Sequence, residues 1–243
     1  MTQNVYLTPE IAYHETLDEI LCDGSDDGIG NLEIINYAFC IENPEVIQFN
    51  SPVRKFNKEY AQQFFEFIMH GGQDASTLFG LNPNVKNFTD DLASRNTAYG
   101  PRIISQLPGL IDEFMINPSS RRAVIVVLNS EDQVLLQEKN QGSKMEYPCT
   151  VSLIFLIRKK RLNLHVAMRS NNMTTTINYD LFNFISIQKE LLNQLKVKGL
   201  DVELGKYYHV CASAHVLKQD IEFANKITDE YYARKVLQQI GVR

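Results

Sequence analysis

Apolar positions along the chain fall into stretches with two different repeats. From Asn57 to Met69, "NKEYAQQFFEFIM" sets Tyr60, Phe64, Phe67 and Ile68 at the spacing of one helical face, and Gly71 and Gly72 end the run. Residues 8 to 21 and roughly 101 to 116 predict two more helices, the second stopping before "NPSSRR". The clearest helix starts at Asp180, where "DLFNFISIQKELLNQLK" carries a broad apolar face and opens on an acidic residue suited to a helix N-terminus. Strand signals are β-branched and shorter: "AVIVVL" from Ala123 to Leu128, then "TVSLIFLI" and "LNLHVAM". The last of these alternates, with Leu162, Leu164, Val166 and Met168 on one side and Asn163, His165 and Ala167 on the other. An earlier strand, "NLEIINYAFCI", has a break at Asn36 and follows the polar, Gly-rich loop "CDGSDDGIG". Residues 73 to 98 predict mostly loop with short helical pieces, and a polar excursion runs through residue 146. Helices and strands in this order predict a mixed α+β domain, a single unit over residues 1–243 without repeats or an obvious linker.

Composition narrows the class. With 243 residues, 44% hydrophobic and 22% charged, the chain can bury one sizeable core. A net charge of −5 argues against a nucleic-acid partner, and the local "RKKR" at 158 to 161 reads as a turn between two strands. No apolar run approaches the roughly 20 residues of a membrane span. Cys22, Cys40, Cys149 and Cys211 are far apart, and no signal-peptide pattern opens the chain, so a reducing cytoplasm is expected. The five His are scattered without ligand spacing, and no metal is expected.

One cysteine stands out. Cys149 follows Pro148 at the mouth of an apolar run, and a thiolate at such a place needs a cation or a helix N-terminus to lower its pKa. If residues 150–157 pair antiparallel with 162–169, Arg169 comes close to Cys149. The same pattern also suits a small buried core cysteine, and at this point both readings stand.

The segments "SSRRAVIVV", "YPCTVSL", "MRSNNMTTTINYDLF" and "CASAHVL", in this order, resemble the thymidylate synthase superfamily, and within it the deoxycytidylate hydroxymethylase branch. "NLEIINYAFCIENP", "NKEYAQQFFEF" and "NTAYG" extend the resemblance across most of the chain, from about residue 31 to 217. It implies a mixed β-sheet with flanking helices and a homodimer formed through the sheet face. It implies further that Cys149 adds to C6 of a pyrimidine ring and makes C5 a nucleophile toward a one-carbon unit from 5,10-methylenetetrahydrofolate. Arg169 and Ser170 would hold the nucleotide phosphate, and Arg121 and Arg122 would reach the phosphate in the neighbouring subunit; a guanidinium fork matches phosphate oxygens. His215 matches a sugar contact, Tyr99 a tyrosine near the reacting ring, and Asn172 a pterin ligand that is Asp in relatives.

Asp180 stands where relatives that act on uracil carry Asn. A carboxylate accepts from the N4 amino group of cytosine, and one proton shared with N3 completes the pair, so the substitution favours a cytidine monophosphate. Asp180 fits a helix cap as well. Other positions depart from the family. An ungapped match puts Phe64 at the place of a catalytic Glu, and Glu66, about 200° further round a helix, substitutes only under a shifted register. Leu217 replaces a sugar-contacting Tyr, Thr174 to Thr176 replace a Leu-Gly-type turn, and Asp26 and Asp27 stand in a loop that is basic in relatives. The chain has no Trp, so Phe or Tyr must replace the indoles that flank folate. Three readings follow: a (deoxy)cytidylate C5-hydroxymethylase, in a setting such as phage DNA modification or nucleoside antibiotic synthesis; a C5-methylase or an enzyme using another one-carbon donor; and a nucleotide-binding paralogue without turnover.

Overall fold

The computed structural model describes residues 4–88, 98–139 and 147–240. Its centre is a mixed sheet of β1 (Asn4–Tyr6), β2 (Ser25–Asp26), β3 (Leu32–Ile41), β4 (Val124–Val126), β5 (Thr150–Arg158), β6 (Arg161–Met168), β7 (Asn171–Asn172) and β8 (Glu203–Val216). The main path runs β1-β3-β8-β6-β5-β4, with β2 on β3 and β7 on β8. Strands β5 and β6 form the antiparallel hairpin that the basic turn predicts; Lys159 and Lys160 make the turn with φ of 50° and 57°. Strands β6 and β8 then pair in parallel.

Helices α1 (Pro9–Asp23), α3 (Tyr99–Ile116) and α5 (Ile177–Val197) pack on the sheet, and α2 (Lys58–Met69) lies against α3 and α5. The period-two pattern of β5, β6 and β8 sends Phe155, Leu164 and Tyr207 into the helix-covered core, where they meet Leu17, Phe39 and Phe184. The opposite face leaves Ile35 and Val210 exposed. No described helix is long and apolar enough to cross a membrane.

Several expectations change on contact with tertiary structure. The break at Asn36 is a left-handed residue, φ 56°, inside one continuous strand, because β3 keeps its register with β8 from Leu32↔Val216 to Ile41↔Tyr207. The main helix begins at Ile177, with Thr176 before it, so Asp180 sits within the first turn and is not the cap. The polar excursion contains a helix, α4 (Asp132–Lys139), whose Asp132 forms a two-pronged ion pair with Arg102 of α3 at 2.7 Å on each prong. Strand β8 and helix α6 (Ile221–Gln239) have no counterpart in the sequence prediction. Helix α6 buries only Ala224, Ile227 and Thr228 and is tied instead to α1, through Tyr231, Tyr232 and Lys235 to Glu15.

Phe155, fully buried at the centre of the core, sets the scale of packing stability. Phe155→Ala is expected to cost about 3–5 kcal/mol, read as a lower urea midpoint; a loss below about 1 kcal/mol would contradict this core arrangement.

Candidate active site

Cys149 and Arg169 are brought together by the hairpin. The Arg169 N–H donates to the Cys149 carbonyl at 2.8 Å, one step beyond the Thr150↔Met168 pair. A register shift between Thr150 and Ser152 bends the strand there. The Arg169 guanidinium then donates from Nε to the Pro148 carbonyl at 2.8 Å, and from Nη2 to the Tyr147 carbonyl at 3.3 Å and to Cys149 Sγ at 3.5 Å. It also lies over the Tyr147 ring, 5.1 Å from the centroid. Arg169 thus contacts the thiol, and it forms no ion pair among the described residues. Burial pushes the Cys149 thiol up, Arg169 pulls it down, and Asp180 pushes it up again.

The remaining residues arrive from neighbouring elements. Tyr99, at the start of α3, accepts the Thr150 N–H on its hydroxyl at 3.0 Å, and burial raises its pKa. After β6 the chain forms β7, whose Asn171 and Asn172 pair with Ala214 and His215 of β8. This places Ser170 Oγ 3.3 Å from His215 Nδ1. Burial lowers the pKa of His215. Asp180, on the first turn of α5, is a half-buried residue with an enclosed carboxyl, and burial pushes it up to about 6 against a hydrogen bond from Asn171. Asn171 Nδ2 donates to Asp180 Oδ2 at 2.7 Å. The sequence reading assigned no role to Asn171 or Thr176; their only signal was their place inside the Arg-Ser motif segment. The loop acids Asp26 and Asp27 accept backbone N–H groups of their own turn, from Gly28, Gly30, Ile29 and Asn31.

Four predicted residues are not brought to Cys149 in a free form. Glu66 lines a separate groove of about 460 Å³ with His70, Leu107, Glu190 and Lys198. Glu190 alone lies ten residues past Asp180, about 15 Å along the α5 axis. It is the opposite side of α2 that faces the start of α5: Phe64 stacks on Tyr60 (5.8 Å, 15°), and Tyr60 meets Tyr179 edge-on at 5.0 Å. Arg121 and Arg122 precede β4, beside Phe155, whose N–H donates to the Ala123 carbonyl. That is six residues along β5 from Cys149, roughly 20 Å. Arg122 pairs with Glu113 at 2.9 Å and stays largely exposed, and Arg121 is exposed. Asn172 is near the cleft, but its Oδ1 accepts the N–H groups of Thr174 and Thr175, both at 2.9 Å. The Asn96 and Thr97 of "NTAYG" lie outside the described residues. No cluster of three metal-ligand side chains occurs among the described residues.

Because Arg169 is the cation that favours the thiolate, Arg169→Gln raises the Cys149 pKa further. Iodoacetamide is expected to alkylate Cys149 more slowly in this variant at pH 7, with the difference closing as pH rises past both pKa values. Equal rates at pH 7 would mean that the guanidinium does not act on the sulfur.

The thymidylate synthase family profile matches residues 48–238. A deoxyuridylate hydroxymethyltransferase of Bacillus phage SP01 is 27% identical over 210 residues, 77% of this chain and 52% of its own length. A deoxycytidylate 5-hydroxymethyltransferase of Enterobacteria phage T4 is 25% identical over 174 residues, 69% of this chain and 65% of its own. A thymidylate synthase of Bacillus licheniformis is 25% identical over 134 residues, 55% of this chain and 43% of its own. The chain therefore spans about half to two thirds of the length of the two phage relatives. A family profile over most of the chain, on a mixed sheet with flanking helices, means that this chain belongs to the thymidylate synthase family.

Proposed function

We propose that this chain is a pyrimidine-nucleotide C5-hydroxymethyltransferase acting on a cytidine monophosphate, dCMP or CMP. The observation that carries the reading is that the Arg169 guanidinium touches Cys149 Sγ while the Asp180 carboxyl acts electrostatically on the same thiol. Arg169 and Ser170 bind the nucleotide phosphate and His215 the sugar. Arg121 and Arg122 complete the phosphate site of a second copy across a homodimer formed through the exposed sheet face. Their exposure, and their distance from Cys149 of the same chain, support that assignment.

Cys149 Sγ adds to C6 and breaks the C5–C6 double bond, which makes C5 a carbon nucleophile. Asp180 accepts from the N4 amino group and shares one proton with N3, so the charge that develops on the ring is held at that edge. Tyr99 spends its oxygen on the Thr150 N–H and keeps its own O–H for a proton or water at the ring. With the one-carbon unit joined to C5, loss of the C5 proton would let the carrier leave as an exocyclic methylene forms, and addition of water to that methylene with expulsion of Cys149 would give the 5-hydroxymethyl base.

The chain offers a surface for a pterin. Phe56, Tyr179, Tyr60 and Phe64 form a contiguous run of rings beside the first turn of α5, in place of indoles. With its Oδ1 committed, Asn172 offers Nδ2 to that ligand. Methylenetetrahydrofolate supplies the one-carbon unit at the oxidation level of formaldehyde. A second reading, nucleotide binding without turnover, is favoured by one observation: the side of α2 that faces the cleft carries Phe64 and not Glu66.

Tritium release from C5-labelled dCMP, CMP and dUMP, with and without methylenetetrahydrofolate, separates the readings. Release from a cytidylate with a hydroxymethyl product is expected, and Cys149→Ser is expected to abolish release while nucleotide still binds. Asp180→Asn is expected to move base preference toward uridylate by on the order of tenfold, the worth of one mispaired hydrogen bond. No release from protein that binds nucleotide would establish the second reading.

A further inference from the structure

We propose that Asn171 is a positioning residue that fixes which oxygen of Asp180 carries the shared proton, and thereby which pyrimidine edge the cleft accepts. The inference rests on the base-reading role of Asp180 given above. Its basis is a directional chain of hydrogen bonds. Thr176 Oγ1 donates its one proton to the Asn172 carbonyl at 3.1 Å, so toward other partners it can only accept. Asn171 Nδ2 donates to that Oγ1 at 3.2 Å and to Asp180 Oδ2 at 2.7 Å. Turning the amide over would set Asn171 Oδ1 against two acceptors, so the network assigns the orientation.

Asn171 is 2% exposed, and its Oδ1 has no hydrogen-bond partner among the described residues. A buried acceptor left open has a cost, and in this network it is the cost of holding both N–H groups toward Thr176 and Asp180. A carboxyl oxygen that accepts a strong hydrogen bond is the carbonyl-type oxygen, so a proton on Asp180 resides on Oδ1. The group then presents a donor, Oδ1–H, and an acceptor, Oδ2, in one fixed order.

That order is what separates the two bases. Cytosine presents an N3 acceptor beside an N4 donor; uracil presents an N3–H donor beside an O4 acceptor, the reverse order. A carboxyl free to move its proton between oxygens pairs with either base, whereas one of fixed order pairs with one. The titratable groups that act on Asp180 or feel it are Tyr60 from α2, Tyr99 from α3, Cys149 ahead of β5, and Tyr207 and Cys211 from β8. None of these is a cation, and burial raises every one of them, so they leave the choice of oxygen to Asn171. Placed at about 6, the Asp180 carboxyl is close enough to neutrality for one proton to be shared with a base at physiological pH.

The test compares equilibrium binding of dCMP and dUMP to the full chain and to Asn171→Ala between pH 5 and 8, with Asp180 followed by carboxyl-carbon NMR in ligand-free protein. The wild type is expected to prefer dCMP, and Asn171→Ala to reduce that preference about tenfold, one hydrogen bond's worth, while retaining dCMP binding. The Asp180 midpoint is expected to rise in the variant, because a donor to its ionised form is gone. In the wild type the Asn171 side-chain amide resonance should shift with the Asp180 midpoint, a measurement that stands even if the variant does not fold. An unchanged dCMP-to-dUMP ratio in folded Asn171→Ala, or a wild-type amide that does not follow Asp180, would overturn the inference. Failure of the underlying reading looks different: a wild type that does not distinguish the two nucleotides removes Asp180 as base reader, and the inference with it.

Discussion

The rest of the site depends on the pairing of Arg169 with Cys149 across the mouth of a hairpin. Backbone and side chain act together: the Arg169 N–H holds the Cys149 carbonyl while the guanidinium ties the Pro148 and Tyr147 carbonyls and reaches the sulfur. An arginine with four such contacts is held in one orientation, so little of its side-chain freedom remains to be lost. The same register sends the chain from β6 into β7, and β7 pairs with the end of β8 that carries His215. A one-residue slip of β5 on β6 would turn the core face outward and separate thiol from guanidinium at once.

Electrostatically the cleft rests close to neutral. Burial raises the Cys149 thiol and the Asp180 carboxyl together, and the Asp180 charge further disfavours ionisation of the thiol. Arg169 is the cation that opposes this at the sulfur, while at Asp180 the opposing group is the neutral donor Asn171. The two acids are therefore tuned by different means. A cation beside the thiol stabilises negative charge there, and a directional amide donor opposes burial at the carboxyl.

Helix α2 shows how one face can replace another. Its cleft-facing side is aromatic and continues as a run of rings through Tyr60 to Tyr179 and Phe56. Glu66 points instead into the groove shared with α3 and the far half of α5. Two residues on a helix separate these sides by about 200°, so no side-chain rotation brings Glu66 to the place of Phe64.

The sequence by itself determined the local and paired features. An apolar, β-branched run marked β5 and a period-two run marked β6, the basic turn between them marked a hairpin, and that hairpin was enough to place Arg169 beside Cys149. Helical repeats marked α1, α2, α3 and α5. Only tertiary structure decided the rest, because the signals lay in partners distant along the chain. Helix α6 has almost no apolar face of its own and is held by tyrosines on Glu15 and Asp18, two hundred residues away. Strand β8 is the sheet's central neighbour to both β3 and β6, so its register is set by both. Asn36 read as a break, but nine paired positions hold it inside a continuous strand at the cost of a left-handed backbone. Likewise, Asp180 was legible as a carboxylate near a helix start, while its bond to Asn171 required β7 to dock on β8, a long-range contact that no local periodicity records.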